Sequence, residues 1–159
     1  MPSLLRTDKE IIAIYDRQVN TVYRVCYSYM KNVSETEDMV QETFLRLIAS
    51  GKTFESERHE KAWLIVTASN LCRDSLKKWW RRNEPLDEQR IAVEQEDHRE
   101  VLEAILQLPM DYKIVVYMFY YEGYSTEEIA SYLNVPNGTV RSRLTRARKK
   151  LKTILGGDR

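Results

Sequence analysis

The chain has 159 residues, which suffices for one domain or two small ones with helical cores and argues against a large enzyme. The net charge of +1 conceals a strong segregation, because basic blocks at residues 61–82 and 137–159 flank an acidic block at residues 83–104. With only five glycines and no glycine cluster after a strand, glycine-rich nucleotide-binding loops are also excluded.

The first predicted helix follows from apolar residues that recur at helical spacing in the first fifth of the chain. Its predicted apolar stripe comprises Ile11, Ile12, Tyr15, Val19, Val22, Tyr23, Cys26 and Met30. The stripe stops near Lys31 and Asn32, which marks the end of this helix.

A second and a third helix are predicted before residue 83. Ser34 and Glu37 have capping-box spacing and predict the start of the second helix, which Gly51 ends. Its predicted buried face comprises Val40, Phe44, Leu47 and Ile48. After a polar loop to about Glu60, the third helix covers residues 61–82. Its predicted apolar side comprises Leu64, Ala68, Leu71, Cys72, Leu76 and Trp79.

The third helix also carries two adjoining polar faces. One consists of Asn70, Arg73, Lys77 and Arg81, and the other of Trp63, Thr67, Asn70 and Asp74. Aromatic rings beside hydrogen-bonding side chains and cations suit unpaired DNA bases, which can be stacked and held. Aromatic residues at helical spacing are also typical of a core helix, so the pattern alone leaves both interpretations open.

Residues 83–97 lose the helical period and gain acidic charge, with Pro85 near their start. This segment predicts an acidic linker between two domains, residues 8–82 and residues 98–155. The helical period then resumes over about residues 98–122 with a break at Pro109. Since no stretch alternates like a strand, the predicted fold class is all-α, with two small helical domains.

The second domain ends in a predicted helix-turn-helix. Ser125 and Glu128 form a capping box for a short helix that runs to about Leu133, and residues 134–138 supply the turn. The next helix has an apolar stripe of Val140, Leu144, Ala147, Leu151 and Ile154. Its other faces carry Arg141, Arg143, Arg146, Arg148, Lys149, Lys150 and Lys152. A basic amphipathic helix can also be a solvated face, a membrane-surface helix or a calmodulin target, but the preceding short helix and turn favour DNA in a major groove.

Three segments together resemble the extracytoplasmic-function (ECF) sigma factors of bacterial RNA polymerase. They read DMVQETFLRL at residues 38–47, KAWLIVTASNLCRD at residues 61–74 and GTVRSRLTRAR at residues 138–148. The resemblance runs from about residue 10 to residue 152, with the three motifs in the order of the family. It identifies the first domain as similar to sigma region 2 and the second as similar to sigma region 4.

The resemblance implies a role for each group of residues. For docking on a coiled coil of the polymerase β′ subunit it implies Asp38, Gln41, Glu42 and Arg46. For recognition and melting of the promoter −10 element it implies Trp63, Asn70, Arg73, Asp74, Lys77, Arg81 and Arg82. For the −35 element it implies Arg141, Ser142, Thr145 and Arg146, with Arg143, Arg148 and Lys149 on phosphates. The aromatic run at residues 117–121 would be core and, on one edge, a seat for the polymerase β flap.

The implied function is that of a non-catalytic specificity subunit, which directs core RNA polymerase to promoters for a stress or envelope response. One alternative is a stand-alone helix-turn-helix regulator, which would leave residues 38–47 without a role. A nucleic-acid enzyme is a second alternative, and the absence of a zinc-ligand set in the sequence argues against it.

The sequence also indicates which cofactors, partners and location to expect for the chain. Cys26 and Cys72 are distant from each other and from both histidines, which predicts buried apolar cysteines and neither a metal nor a cofactor. No leader and no long apolar run is evident, so we expect a soluble cytoplasmic protein. The resemblance further implies an anti-sigma factor, often a membrane protein, which would hold the chain at the inner face of the membrane. No small-molecule substrate is expected.

Overall fold

The computed structural model describes residues 7–81, 104 and 107–156, and every regular element within them is helical. The chain divides into two compact units, Met1–Arg90 and Ile91–Arg159. The predicted all-α class with two helical units is therefore confirmed.

The acidic linker predicted at residues 83–97 lies outside the described residues, and so does most of the helix predicted from residue 98 to residue 108. The proposed domain boundaries stay a prediction.

The first unit consists of α1 (Asp8–Met30), α2 (Val33–Ser50) and α3 (Glu57–Arg81). A capping box of Thr7 and Glu10 starts α1, and Lys31 ends it in the left-handed conformation. Thus α1 ends where the sequence predicts.

The start of α2 differs from the prediction. The side chain of Asn32 accepts a 2.7 Å hydrogen bond from the backbone N–H of Glu35, so Asn32 is the N-cap and Ser34 already lies inside the helix. The predicted capping box of Ser34 and Glu37 is wrong, because Asn32, with an extended backbone, caps the helix two residues earlier. Gly51 ends α2 with φ 62°, as predicted.

Helix α3 begins four residues before the predicted start at residue 61. The hydroxyl of Ser56 accepts a 3.1 Å hydrogen bond from the backbone N–H of His59, so the polar stretch from Glu57 to Glu60 forms the first turn. Polar residues and a capping serine at a helix start look like a loop in the sequence.

The core of the first unit lies between all three helices. Its apolar members include Ile14, Val22, Val25, Cys26, Tyr29, Val40, Phe44, Leu47, Leu64, Ile65, Ala68, Cys72 and Leu76. Both cysteines are buried and free, as predicted. Three residues assigned to the buried stripes are instead exposed, namely Ile12, Tyr15 and Ile48. The buried stripe of α1 is rotated relative to the predicted one. It includes the polar residues Gln18, Thr21 and Ser28, so its course cannot be recognised from apolar residues alone.

The second unit contains α4 (Met110–Val116), which continues as a π-helical segment (Tyr117–Tyr121), and then α5 (Thr126–Leu133) and α6 (Asn137–Ile154). Gly123, with φ 79°, lies between the π-helical segment and α5.

Helices α5 and α6 form the predicted helix-turn-helix. Both hydrogen bonds of the capping box of Ser125 and Glu128 are present, at 2.9 and 3.0 Å. Asn134 ends α5 in the left-handed conformation with φ 60°. The turn is shorter than predicted, because Pro136 is the N-cap of α6 and Asn137 its first residue.

Candidate nucleic-acid interfaces

The first candidate interface is the polar side of α3. Asn70, Asp74 and Lys77 are exposed, and Trp63 and Arg73 are half-buried. All five lie on one rigid element, over a rise of about 21 Å from the first to the last. Of the two remaining residues assigned to this surface, the side chain of Arg81 and the whole of Arg82 lie outside the described residues.

An aromatic cluster of Phe54, His59 and Trp63 lies at the start of this helix. The ring of Phe54 is 5.8 Å from the ring of Trp63 and 5.4 Å from that of His59, centroid to centroid. All three rings are half-buried, so part of each is open to solvent. Trp63 is assigned to this surface from the sequence, but Phe54 and His59 are not, since the loop before α3 has no period that would reveal a shared contact.

A buried carboxylate ties this end of α3 to α1. The guanidinium of Arg17 donates from Nε and Nη2 to the two oxygens of Glu60, at 2.9 and 2.8 Å, and the amide of Gln18 donates to Oε2 at 3.0 Å. The side chain of Glu60 is only 5% exposed, against 37% for Arg17. The hydrogen bonds that Arg17 donates to Glu60 raise the pKa of Arg17, and the partial burial of the guanidinium lowers this pKa by a smaller amount. Glu60 lies in the first turn of α3, the helix that also carries His59 and Trp63 of the aromatic cluster.

The second candidate interface is the face of α6 opposite its buried stripe. Val140, Leu144 and Ala147 pack into the unit. The exposed assigned residues are Arg141, Thr145, Arg146, Arg148 and Lys149, while Ser142 and Arg143 are half-buried. In the part of the chain that the structure describes, none of the assigned cations of α6 is paired with a carboxylate. The cations are therefore available to an external polyanion.

The π-helical segment supplies an aromatic neighbour to α6. Tyr117 and Met118 are buried, and Phe119 and Tyr121 are half-buried, which agrees with the predicted core role. Tyr120 is different, because its side chain is 51% exposed and its hydroxyl accepts a hydrogen bond from Nε of Arg148. No sequence pattern links Tyr120 to Arg148.

The outer face of α2 carries the residues assigned to polymerase docking. Asp38, Gln41 and Arg46 are exposed, and Glu42 is half-exposed and lies 3.9 Å from Arg46, oxygen to nitrogen. Leu45 is 57% exposed, one helical turn from Gln41.

Further exposed apolar side chains adjoin this face. Ile48 is 47% exposed, and Tyr15 of α1 contacts Phe44 with ring centroids 4.9 Å apart. Ile12 lies one turn from Tyr15 and is 58% exposed. We refer to Ile12, Tyr15, Leu45 and Ile48 as the apolar patch. The apolar patch is not predicted from the sequence, because the helical period places three of these residues in the core and nothing distinguishes Leu45.

No helix in the described ranges is long and apolar enough to cross a bilayer. Over the same ranges, His, Cys, Asp and Glu side chains do not gather into a group of three that could hold a metal ion.

Family models match both units of the chain. The model described as sigma-70 region 2 matches residues 14–82, and the model described as sigma-70, region 4 matches residues 98–151. The region 2 match falls within the first unit, and the region 4 match falls within the second.

Individual relatives match along most of their length. The ECF RNA polymerase sigma factor SigX of Bacillus subtilis is 28% identical over 155 residues, covering 87% of this chain and 80% of SigX. The RNA polymerase sigma factor SigV of the same bacterium is 30% identical over 139 residues, covering 84% of this chain and 83% of SigV.

Among solved structures, the fold is similar to that of the sigma factor RpoE from Bartonella quintana, solved in complex with the anti-sigma factor NepR. The TM-score is 0.78 at 24% sequence identity, with 95% of this chain and 99% of the other covered.

Proposed function

Because the chain belongs to the extracytoplasmic-function group of RNA polymerase sigma factors, we propose a division of labour between its two helical units. The function of the chain is to bind core RNA polymerase, direct it to promoter DNA and start transcription. The proposal concerns which residues do each part of this work.

The second unit reads the −35 element as duplex DNA. Helix α6 buries one apolar stripe and presents its remaining faces to solvent, which is how a recognition helix enters a major groove. Arg141, Ser142, Thr145 and Arg146 contact base edges, and Arg143, Arg148 and Lys149 contact phosphates. A bidentate arginine–guanine contact discriminates by about 1–3 kcal/mol, whereas a phosphate contact adds affinity and salt dependence.

The first unit captures and opens the −10 element. Asn70 and Asp74 offer hydrogen bonds to the Watson–Crick edge of an unpaired base, and Lys77 and Arg73 neutralise nearby phosphates. Trp63 supports them, as do Arg81 and Arg82. The aromatic cluster adds stacking surface, since the π-face of a base packs on an aromatic ring with about 1–3 kcal/mol. Unstacking a base costs a few kcal/mol, so these contacts can offset it without a nucleotide cofactor.

The outer face of α2 docks on the β′ subunit of polymerase. Asp38, Gln41, Glu42 and Arg46 surround the exposed Leu45, which gives a polar rim around an apolar centre. This is the composition expected of a protein–protein interface. Exposed apolar side chains grouped on a small unit support the same assignment.

The single observation that carries the division of labour is that each unit has its own exposed polar helix face of a different character. The face on α6 is a row of cations that pair with no carboxylate among the described residues, whereas the face on α3 combines an amide, a carboxylate and cations near aromatic rings. The first suits intact duplex, and the second suits an unpaired strand.

Reconstituted transcription tests the proposal. Core polymerase from the source organism, with and without this chain, transcribes fragmented DNA from the same genome, and RNA 5′ ends are mapped. We expect discrete ends that depend on the chain and share two upstream elements. The Arg141→Ala/Arg146→Ala variant should lose them. Failure to produce such ends, with the chain alone protecting duplex DNA, would instead indicate a stand-alone regulator.

The proposed regulation is inhibition by an anti-sigma factor that covers the apolar patch. RpoE of Bartonella quintana was solved with such a partner, which supports the idea by analogy of fold. We further propose that the chain contributes no catalysis of its own, and that it acts in the cytoplasm, where polymerase and chromosome lie.

A further inference from the structure

Tyr120 and Arg148 form a contact that joins the π-helical segment to the exposed side of α6. The Nε–H of Arg148 donates to the hydroxyl of Tyr120, and the guanidinium carbon lies 5.9 Å from the centre of the tyrosine ring. The two residues are 28 positions apart in the chain. Both side chains are exposed, so the contact lies at the surface and is not part of the core.

The π-helical segment explains why Tyr120 reaches α6. In an unbroken α-helix Tyr120 would follow Val116 by one turn, and Val116 is only 1% exposed. The backbone N–H of Glu122 instead bonds to the carbonyl of Tyr117 at 3.1 Å, which is the wider π-helical turn. The wider turn carries Tyr120 away from the buried side.

The contact with Tyr120 uses Nε of Arg148 and leaves the two terminal nitrogens of the guanidinium for another ligand. Arginine has five N–H donors, and Tyr120 accepts from the one on Nε. The four donors on the two terminal nitrogens have no hydrogen-bond partner among the described residues. A free arginine loses about 2 kcal/mol of rotamer entropy when it is immobilised, and a side chain that is already held loses less.

We propose that Tyr120 is a positioning residue that holds Arg148 ready to contact a DNA phosphate beside the −35 element. The proposal rests on the assignment of α6 as the duplex-reading helix. It gives Tyr120, the one exposed residue of the π-helical segment, a role in DNA affinity. Because a phosphate carries no base identity, the contact is independent of promoter sequence.

A mixed-sequence duplex DNA therefore serves as the probe. Binding of the full chain is measured by fluorescence anisotropy at several salt concentrations between about 50 and 200 mM, for single and double variants. Arg148→Met should lower the slope of log affinity against log salt by about 0.9, the value for one phosphate. Tyr120→Phe, which removes only the hydroxyl, should weaken binding about 3- to 10-fold.

The decisive measurement is the coupling between the two sites. In the Arg148→Met background, Tyr120→Phe should change the affinity for DNA by less than about twofold, because the guanidinium that Tyr120 holds is absent. In the matched Lys149→Met background, which removes a cation that Tyr120 does not contact, Tyr120→Phe should keep its full effect. A residue with a purely structural role would weaken binding in both backgrounds.

Three results would overturn the inference. In the first, Tyr120→Phe binds duplex DNA as tightly as the unmodified chain. In the second, it weakens DNA binding equally with and without Arg148. In the third, it weakens polymerase binding and leaves DNA binding unchanged. The last result would place Tyr120 in the polymerase contact. Failure of the parent assignment is distinguishable, because then Arg148→Met and Lys149→Met would both leave the salt dependence unchanged.

Discussion

Asn70 and Arg146 are both exposed polar residues on long helices, but they lie in separate units and are assigned to different forms of DNA. Asn70→Ala should reduce opening of the −10 region in the polymerase complex, read as permanganate reactivity of unpaired thymines, and leave −35 duplex binding nearly unchanged. Arg146→Ala should do the reverse, with a loss of duplex affinity of about 5- to 150-fold if it makes a bidentate base contact.

Matched controls for this pair are available within the same chain. Asn20→Ala removes an exposed asparagine from α1, and Lys152→Ala removes an exposed cation from the last turn of α6. Both should leave opening intact, and Lys152→Ala should change duplex affinity less than Arg146→Ala. Equal losses of opening and of duplex binding in the two test variants would contradict separate roles.

Individual residues could be assigned from the sequence where a period or a motif exposes them. The cations of α6 fall opposite a regular apolar stripe, so their exposure follows from helical geometry alone. The link between Arg148 and Tyr120 could not be predicted, since it depends on a π-helical turn that no local pattern signals. The same holds for Phe54, whose ring reaches Trp63 from a loop.

At the scale of the helices, the contact of Arg17 with Glu60 joins α1 to α3 beside their apolar core. Breaking a buried ion pair from one side costs about 3–5 kcal/mol, and the partial exposure of Arg17 should reduce this to about 2 kcal/mol for Arg17→Met. The double variant Arg17→Met/Glu60→Gln removes both charges and keeps an amide oxygen that can accept the hydrogen bond from Gln18. It should recover to within about 1 kcal/mol of the unmodified chain, because no buried charge is left unpaired.

Urea unfolding followed by tryptophan fluorescence measures this directly. All three tryptophans, Trp63, Trp79 and Trp80, lie in α3, so the signal reports on the first unit of the intact chain. Arg46→Met is the control, since its pair with Glu42 is exposed and should contribute under about 0.5 kcal/mol. A double variant as unstable as the sum of its single variants would show that the contact has no coupling energy.

Helix ends and buried stripes differ in how well the sequence predicts them. Ser125 with Glu128, and Gly51, are local signals, and the structure places helix ends at both. The course of the α1 stripe depends on a distant partner, because the amide nitrogen of the buried Gln18 donates to Glu60, 42 residues away. A glutamine on the buried side of a helix looks like a surface residue until its partner is known.

At the scale of the whole molecule, two units on one chain let polymerase binding and DNA binding reinforce each other. Once one unit is bound, the second binds at the high effective concentration set by the connecting segment. Each contact can therefore be weak alone and still contribute to promoter binding. Damage to either unit should then reduce promoter-specific transcription while leaving the other unit able to bind its own target.

The apolar patch offers the clearest test of this independence. Leu45→Ser and Ile48→Ser remove apolar side chains that are already exposed, so each should change the free energy of unfolding by about 0.5 kcal/mol or less. If both side chains are buried against polymerase, each should weaken core binding about 5-fold or more, as measured by fluorescence anisotropy of labelled chain. Binding of the free chain to duplex DNA should be unaffected, because it depends on the other unit.

Leu155→Ser is the matched control, an exposed leucine outside the patch that should alter neither stability nor core binding. Unchanged core binding in the two patch variants would mean that Asp38, Gln41, Glu42 and Arg46 contact polymerase without them.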